Sequence, residues 1–307
     1  MEKDVIFLSS KNPFKRYFEI RRAIKENNTE IIWSWGGIEA FYGFVLSLVS
    51  RVRHINGSVR HGVFRFNRHQ LFRLVILHLS ANVVANSYAG LKANKLVRGH
   101  VLYNGIDGDF YVKPEKNPSI IRKDLGVDDK NILLTSVANL VPYKDYDTVL
   151  KAFSIIKTKG IPFHYIAIGE GTERERIMQL SKRLNLSVEV SFPGSRNDIK
   201  DILYISDIFI HSSRGEGCSN AILEAMSAGL PIIASNTGGT GEFVDDNIGR
   251  LFEYQNVGQL SERIIEIITN NSLRETLGEN SKRKAIKDFS IDRMMSDYYQ
   301  ILEDVKR

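Results

Sequence analysis

One stretch of the chain, residues 208–244, alternates between apolar runs and polar loops in the order strand, loop, helix, strand, loop. The run from Ile208 to Ile210 predicts the first strand, and Pro231 to Ala234 predicts the second. Between them, Asn220 is the predicted N-cap of a helix that ends at Gly229. Parallel strands need such a crossover helix, so the stretch predicts part of an open α/β sheet. Ligands of such sheets bind outside the carboxyl ends of the strands.

The predicted helix is apolar on nearly every face and is therefore expected to be buried. Glu224 interrupts its apolar run, and a carboxylate in such surroundings is costly unless something pairs with it or donates hydrogen bonds to it. Glu216 lies eight positions earlier, in the loop before the helix. The helix start near Ser219 offers free N–H groups and a positive dipole end, which favour phosphate or sugar oxygens. Together these features predict a site for a polyhydroxylated, phosphorylated ligand.

The order of these residues resembles the donor site of retaining nucleotide-sugar glycosyltransferases. Glu216 is followed after seven residues by Glu224, then by an Ala-x-x-x-Gly-x-Pro pattern, and then by Gly-Gly-x-x-Glu-Phe-Val at residues 238–244. The chain is identified on this basis as similar to glycosyltransferase family four, the glycosyl transferases group 1. The resemblance implies an α/β protein of the GT-B fold, in which two Rossmann-like domains face a cleft.

The resemblance also implies a division of the chain into three parts. Residues 1–113 correspond to a partial N-terminal Rossmann-like domain on the acceptor side, and residues 114–287 to the C-terminal donor-binding domain. Residues 288–307 correspond to a terminal helix that packs back toward the N-terminal domain. Family members usually begin with a strand, a glycine-rich loop and a helix, but no glycine-rich turn precedes Gly36. The N-terminal domain is therefore expected to be incomplete.

Specific roles for the donor side follow from the resemblance. Glu216 is expected to hold the hydroxyls of the donor sugar and to stabilise positive charge that develops on its ring, and Glu224 to accept hydrogen bonds from the ribose. Lys144 is expected to neutralise the diphosphate, or is an exposed loop lysine. Asn139 stands where the family carries an arginine, so it offers a hydrogen bond without a charge. The other donor-side residues that the resemblance implies are Gly217, Cys218, Ser219, Asn220 and Gly169.

The acceptor side is less clearly marked. His61 occupies the place of the family's catalytic-side histidine, or is a surface histidine in a basic loop. Trp33 and Trp35 stand where many members carry histidines, which indicates either a different acceptor pocket or core aromatics. Cys218 is assigned no chemistry, because no base is evident beside it. We expect no metal and no cofactor, and the nucleotide diphosphate sugar, of UDP or GDP type, is the co-substrate.

The charge of the chain is unevenly distributed. Residues 1–113 hold 17 Lys and Arg against 8 Asp and Glu, whereas the rest hold 25 against 28. A basic first part favours an anionic partner, and the segment from Arg60 to His78 mixes arginines with apolar residues. This segment predicts either contact with an anionic membrane surface or a core-facing helix with a basic outer face. Nucleic acid is disfavoured, since no recognisable binding module accompanies the charge.

Compartment and function complete the expectations. A single cysteine, the absence of a secretory leader and the lack of a membrane-spanning stretch predict a cytoplasmic protein, or a peripheral one at the inner face of the membrane. The predicted function is transfer of a sugar to a glycan or lipid-linked acceptor, with retention, in surface polysaccharide biosynthesis. The alternatives are a sugar-nucleotide epimerase or phosphorylase on the same fold, and a non-catalytic or split nucleotide-sugar-binding remnant.

Overall fold

The structure of the protein is a computed structural model that describes residues 12–63, 68–108 and 116–307. The predicted strand from Val5 to Leu8 and the phenylalanines Phe64 and Phe66 of the basic segment lie outside the described residues. Two parallel sheets, each covered by helices, account for the described chain.

The first sheet has four parallel strands in the order β1-β2-β3-β4. Its strands are β1 (Ile31–Ser34), β2 (Arg53–Val59), β3 (Asn82–Ala85) and β4 (His100–Val101). The helices between and before these strands are α1 (Pro13–Glu26), α2 (Gly37–Val49), α3 (Arg68–Leu79) and α4 (Tyr88–Ala93). The apolar run from Ile38 to Val52 by itself predicts one helix, but α2 ends at Val49 and Val52 leads into β2.

The second sheet has six parallel strands in the order β10-β9-β8-β5-β6-β7. Its strands are β5 (Ile132–Val137), β6 (Phe163–Ile168), β7 (Val190–Gly194), β8 (Ile208–His211), β9 (Ile232–Ser235) and β10 (Gly249–Phe252). The remaining helices are α5 (Pro118–Asp124), α6 (Tyr146–Thr158), α7 (Arg174–Arg183), α8 (Ile199–Ile205), α9 (Asn220–Ser227), α10 (Thr240–Phe243), α11 (Val257–Ile268), α12 (Asn271–Phe289) and α13 (Ile291–Lys306).

Burial on both faces explains the apolar runs of the second sheet. Strands β6 and β8 are buried along their whole length, as expected of parallel strands with helices on either side. Helices α6 and α11 cover one face around Phe153 and Ile264. Helix α9 covers the other face, and its residues Ile222 and Met226 are fully buried. The strand, helix, strand arrangement predicted for residues 208–244 is confirmed.

The last helix, α13, returns from the second sheet to the first. Its residues Ile301 and Val305 are buried against Ile55, Val84 and Leu102 of the first sheet and its loops. The backbone N–H of Ile106 donates to the carbonyl of Phe289 at 2.8 Å, just before α13 begins. The Met294 and Tyr298 side chains pack against the same cluster. The carboxyl end of the chain therefore stabilises the sheet formed by its amino-terminal part.

A buried histidine lies in the first sheet. His54 in β2 has its Nε2 2.8 Å from the Ser34 hydroxyl, and its ring lies against α2 at Gly43. A Cβ atom added at Gly43 would lie 2.4 Å from that ring, so the close approach of helix and strand requires glycine there. Burial lowers the pKa of His54 to about 4.

This histidine predicts an acid sensitivity of the first sheet. Between an unfolded pKa near its usual value and the folded pKa of about 4, the unfolded chain binds a proton that the folded chain does not. The free energy of unfolding should therefore fall as the pH is lowered through this window, with His54 contributing roughly 1.4 kcal/mol per pH unit. His54→Gln should remove this part of the slope in urea titrations, and an unchanged slope in this variant would contradict the prediction.

NMR titration of the histidine ring protons provides a second measurement that does not depend on the variants. The His54 ring should titrate below pH 5. A His54 resonance that titrates near pH 6.5 would contradict the assignment of this residue as a buried neutral group.

Candidate active site

The carboxyl ends of the parallel strands of both sheets meet in one cleft. On the first sheet, Arg60, His61 and Gly62 follow β2, and Asn104 and Gly105 follow β4. The loops that follow the strands of the second sheet contain Asn139 after β5, Gly169 after β6, Ser212 to Glu216 after β8, and Gly238 and Gly239 after β9. Each predicted site residue outside α9 thus lies at, or shortly after, the carboxyl end of a strand, where α/β folds bind ligands.

Glycines allow the two sets of loops to touch through their backbones. A Cβ atom added at Gly62 would lie 2.4 Å from the Glu216 carbonyl oxygen and 2.6 Å from the Gly238 Cα. One added at Gly217 would lie 2.0 Å from Asn86 Oδ1 on the first sheet. Gly238 also has a φ of +55°, which disfavours any other residue. The loop of His61 is therefore held directly against the loop of Glu216.

Asn104 joins the first sheet to the start of α9. Its Nδ2 donates to the Cys218 carbonyl at 3.1 Å and to Asn220 Oδ1 at 2.6 Å. The prediction of Asn220 as N-cap is wrong, because Ser219 is the N-cap and Asn220 is the first helical residue. The physical reason is that the Asn220 carboxamide oxygen accepts a hydrogen bond from across the cleft instead of from its own helix.

Glu242 makes a second contact across the cleft. Glu242 lies on α10, the short helix after β9 of the second sheet. Its carboxylate accepts hydrogen bonds from the N–H groups of Tyr88 at 2.9 Å and Ala89 at 2.7 Å. These are N–H groups of the first turn of α4, which have no partner within their own helix. The Tyr103 hydroxyl donates to the same carboxylate at 3.0 Å. The sequence showed Glu242 only as part of a motif, and its role in joining the two sheets became visible in the structure.

Glu216 is fixed by two basic side chains. Lys144 forms an ion pair with its Oε1, and His211 Nε2 lies 3.2 Å from its Oε2. Lys144 is only 8% exposed, so the alternative of an exposed loop lysine is wrong. Burial acts to raise the pKa of Glu216, but His211 and Lys144 outweigh it and hold the pKa well below its usual range. Burial lowers the pKa of His211, so its ring is neutral near pH 7.

His211 was missed by the sequence reasoning. It is the last residue of β8 and is fully enclosed, and its side chain contacts Glu216 five positions later. An apolar strand that ends in a histidine, just before a loop with a carboxylate, was the available signal. The strand was predicted to end at Ile210, which placed His211 in the loop.

Glu224 has a different environment from Glu216. It lies on the partly exposed side of α9, while its neighbours Leu223 and Ala225 are buried. Within the described residues its carboxylate has no hydrogen-bond or ion-pair partner, and burial raises its pKa. A partly buried carboxylate without a partner is a poor structural element and a good acceptor for ligand hydroxyls.

The loop before α9 offers further donors. Among the described residues, the N–H groups of Gly217, Cys218 and Ser219 have no backbone or side-chain acceptor. Cys218 itself is buried, and burial raises the pKa of its thiol to about 12, so no thiolate is available for nucleophilic chemistry. The loop can therefore bind a ligand through its backbone and not through its one sulfur atom.

The remaining predicted site residues, Asn139, Gly169 and His61, lie in loops that follow strands β5, β6 and β2. Asn139 is exposed after β5, and Gly169 has a φ of +140°. A Cβ atom at Gly169 would lie 2.1 Å from the Ala138 carbonyl oxygen, so the glycine is needed for the packing of the two loops. The His61 side chain is exposed. No group of three or more potential metal ligands occurs within the ranges 12–63, 68–108 and 116–307.

Comparison with known proteins identifies the family. Residues 118–284, more than half of the chain, match the family described as Glycosyl transferases group 1. The chain belongs to the glycosyl transferases group 1. It is a glycosyltransferase by family, and the resemblance that the sequence motifs indicated is confirmed at that level.

Two relatives agree with this assignment. The chain is 24% identical to N-acetyl-alpha-D-glucosaminyl L-malate synthase of Bacillus anthracis, over 88% of this chain and 68% of that protein. It is 27% identical to the lipopolysaccharide core biosynthesis glycosyltransferase LpsE of Rhizobium meliloti, over 55% of this chain and 49% of the relative. The chain thus spans about half to two thirds of these proteins.

The structural comparison concerns the fold. The Anabaena protein Alr3699/HepE, solved in complex with UDP, matches with a TM-score of 0.83 and 23% identity, over 95% of this chain and 82% of that one. The predicted α/β architecture of two Rossmann-like units of the GT-B type is confirmed by this likeness and by the two parallel sheets.

The contact made by Glu242 predicts a local effect on hydrogen exchange. In Glu242→Gln the carboxylate charge is lost, and a single amide oxygen replaces two acceptors for Tyr88, Ala89 and Tyr103. Hydrogen bonds to a charged group contribute about 1.5–3 kcal/mol, so exchange of the Tyr88 and Ala89 amides should accelerate roughly tenfold to a hundredfold. Exposed Glu262→Gln on α11 is the matched control. Unchanged exchange at both amides in Glu242→Gln would show that the sheets are joined without this contact.

Proposed function

We propose that the protein transfers a sugar from a nucleotide diphosphate donor to a hydroxyl of a glycan or lipid-linked acceptor, with retention at the anomeric carbon, in surface polysaccharide biosynthesis. Its membership of a glycosyltransferase family supports the reaction class. The name of a relative that acts in lipopolysaccharide core biosynthesis supports a lipid-linked glycan as acceptor. UDP in the similar Anabaena structure supports a nucleotide diphosphate donor of the UDP type.

The observation that carries the proposal is the partnerless carboxylate of Glu224. It is eight positions after Glu216, on the helix that begins at the cleft, and within the part of the chain that the structure describes it lacks the partner that a structural carboxylate would need. Vicinal hydroxyls of a ribose can donate two hydrogen bonds to one carboxylate. The open N–H groups of Gly217, Cys218 and Ser219 stand in the same loop and suit the oxygens of the donor sugar.

Glu216 suits the charge that develops during the reaction. Its ion pair with Lys144 and its contact with His211 keep it ionised and fixed, so it can hold the sugar hydroxyls and stabilise an electron-poor ring without reorganising. Lys144 has three ammonium hydrogens and can contact both Glu216 and a diphosphate oxygen. Asn139 can donate a further hydrogen bond to the diphosphate. We place His61 on the acceptor side, because its loop touches the Glu216 loop through Gly62.

The role of Glu224 predicts opposite effects on stability and on binding. Glu224→Ala removes a desolvated carboxylate that has no partner, so the free energy of unfolding should stay the same or rise. Affinity for the nucleotide diphosphate should fall roughly tenfold to a hundredfold, since hydrogen bonds to a charged acceptor are lost, and donor turnover should be abolished. A thermal-shift screen with UDP and GDP selects the nucleotide, and calorimetry with wild type and variant measures the affinity.

The matched control for this experiment is Glu262→Ala, which changes an exposed glutamate on α11 to which no role in binding is assigned. If the Glu224→Ala protein binds the nucleotide as tightly as the wild type, the assignment of the ribose to Glu224 is wrong. Product analysis with donor alone and with donor plus acceptor separates a transferase from an epimerase, which needs no acceptor.

We also propose that the first sheet's helices contact an anionic membrane surface. No helix in the described ranges is long and apolar enough to cross a bilayer. Helix α3 buries Ile76 and Leu77 but exposes Leu71, Val75 and Leu79, which lie four residues apart on one stripe. Further exposed apolar side chains on α1 and α2 are Phe14, Phe18, Leu48 and Val49. Exposed basic residues of α1, Lys15, Arg21, Arg22 and Lys25, supply the charge for an anionic surface.

Vesicle sedimentation tests this surface. The protein should bind phosphatidylglycerol vesicles and lose binding as salt is added, because exposed charges are screened. The double variant Val75→Ser, Leu79→Ser should weaken binding roughly tenfold or more by removing apolar area from the stripe. Val188→Ser, at an exposed position of the second sheet's unit, is the control. If the wild-type protein does not sediment with anionic vesicles at low salt, a membrane contact through this face is excluded.

A further inference from the structure

A recess of about 420 Å³ opens where the carboxyl ends of the first sheet meet α9 and α13. None of the roles proposed above for the donor side uses its aromatic wall. The residues that matter for its chemistry are Trp35, Arg60, Asn104, Asn220, Met295 and Tyr298.

Three stacked rings form the wall of this recess. Trp33 lies between Trp35, at 5.1 Å between ring centroids and 16° between planes, and Tyr298, at 4.6 Å and 11°. Trp35 follows β1, and it remains 48% exposed, so of the two alternatives for the tryptophans, that of a core aromatic does not hold for Trp35. The stack holds the Trp35 ring in place, so binding against it costs little ordering of that side chain. The part of the Trp35 ring that Trp33 and the Arg60 guanidinium leave exposed is rigid and apolar, and it can pack against the apolar C–H face of a pyranose ring.

Among the described residues that line the recess, Arg60 is the one with a formal charge. The Arg60 guanidinium carbon lies 5.3 Å from the Trp35 ring centroid, and NH2 donates to Asn104 Oδ1 at 3.2 Å. Among the described residues, no carboxylate forms an ion pair with Arg60. A partly enclosed guanidinium has several N–H donors in a planar fork that suits a phosphate or carboxylate. Arg60 therefore favours a ligand with an anionic group beside its ring.

Asn104 and Asn220 connect the recess to the donor loop. Asn104 Nδ2 contacts both Asn220 Oδ1 and the carbonyl of Cys218, two residues after Glu216. Arg60 directly precedes His61, whose loop touches the Glu216 loop. A sugar ring that packs against Trp35 would thus lie beside the loop of Glu216, which is proposed to hold the donor sugar. It would also lie beside His61, which is proposed for the acceptor side.

We infer that this recess binds the acceptor as a pyranose that bears an anionic substituent, with the ring against Trp35 and the anion on Arg60. The inference rests on the proposed function, and it narrows the acceptor class. Two sources supply the same chemistry: a glycosyl phosphate, as in a phosphate-linked glycan, and a uronic acid. The test separates them.

Tryptophan fluorescence reports on this site directly, because the chain has two tryptophans and both belong to the stack. The full chain, saturated with the nucleotide found in the thermal-shift screen, is titrated with glucose 1-phosphate, methyl glucuronoside, methyl glucoside and inorganic phosphate. One of the two anionic sugars should change the fluorescence with at least tenfold higher affinity than methyl glucoside. Which of the two does so identifies the anionic group of the acceptor as a phosphate or a carboxylate. Inorganic phosphate alone should cause no comparable change. Equal affinity for methyl glucoside, or no response to any sugar, overturns the inference.

Variants distinguish this result from a failure of the proposed function. Arg60→Met should remove the preference for the anionic sugar, Arg60→Lys should restore part of it, and Trp35→Ala should weaken every sugar at least tenfold, with Trp33 as reporter. Arg98→Met, an exposed arginine outside the recess, is the matched control and should bind as the wild type does. Nucleotide affinity is measured on the same samples. If Arg60→Met and Trp35→Ala both bind the nucleotide and the sugars as the wild type does, the assignment of the acceptor to the recess is wrong and the proposed donor site stands. If the wild type binds no nucleotide, the proposed donor site itself is wrong.

Discussion

Gly62, in the loop after β2, and Gly238, in the loop after β9, bring the two sheets' loops into direct backbone contact, and the site depends on this contact. A side chain at either position would push apart the loop that bears His61 and the loop that bears Glu216. Asn104 and Glu242 then add polar contacts across the same junction. Polar side chains from both sheets can converge on one ligand only because the backbones approach so closely here.

The two glutamates of the motif differ in how the protein treats their charge. Glu216 is ionised and fixed by Lys144 and His211, which suits a group that must meet developing positive charge without moving. Glu224 is partly desolvated and has no partner among the described residues, which suits a group whose hydrogen bonds come from a ligand. An ion-paired carboxylate and an unpaired one thus share one loop and helix, and each environment matches a different part of a nucleotide sugar.

The sequence predicted the second sheet better than the site's surroundings. Strands β8 and β9 lie within one residue of the predicted bounds, because these buried parallel strands are nearly continuous apolar runs. The N-cap of α9 was misplaced by one residue, since the hydrogen bond that occupies Asn220 comes from Asn104, 116 positions away. His211 was missed for a similar reason: a histidine at a strand end gives no sign of whether it contacts solvent or a carboxylate. The exposure of Trp35 was likewise invisible, because an aromatic after an apolar strand is more often core.

By itself, the sequence determined the class of fold and the family, because periodicity, turn residues and the Glu216 to Val244 motif are local along the chain. It also determined which residue types reach the strand ends. The tertiary structure alone decided which of these side chains have partners: Lys144 and His211 on Glu216, none within the described residues on Glu224, and Trp33 with Tyr298 behind Trp35. The physical reason is that burial, charge pairing and ring stacking depend on distances between residues far apart in the chain, and only the packing of the two sheets and α13 sets those distances.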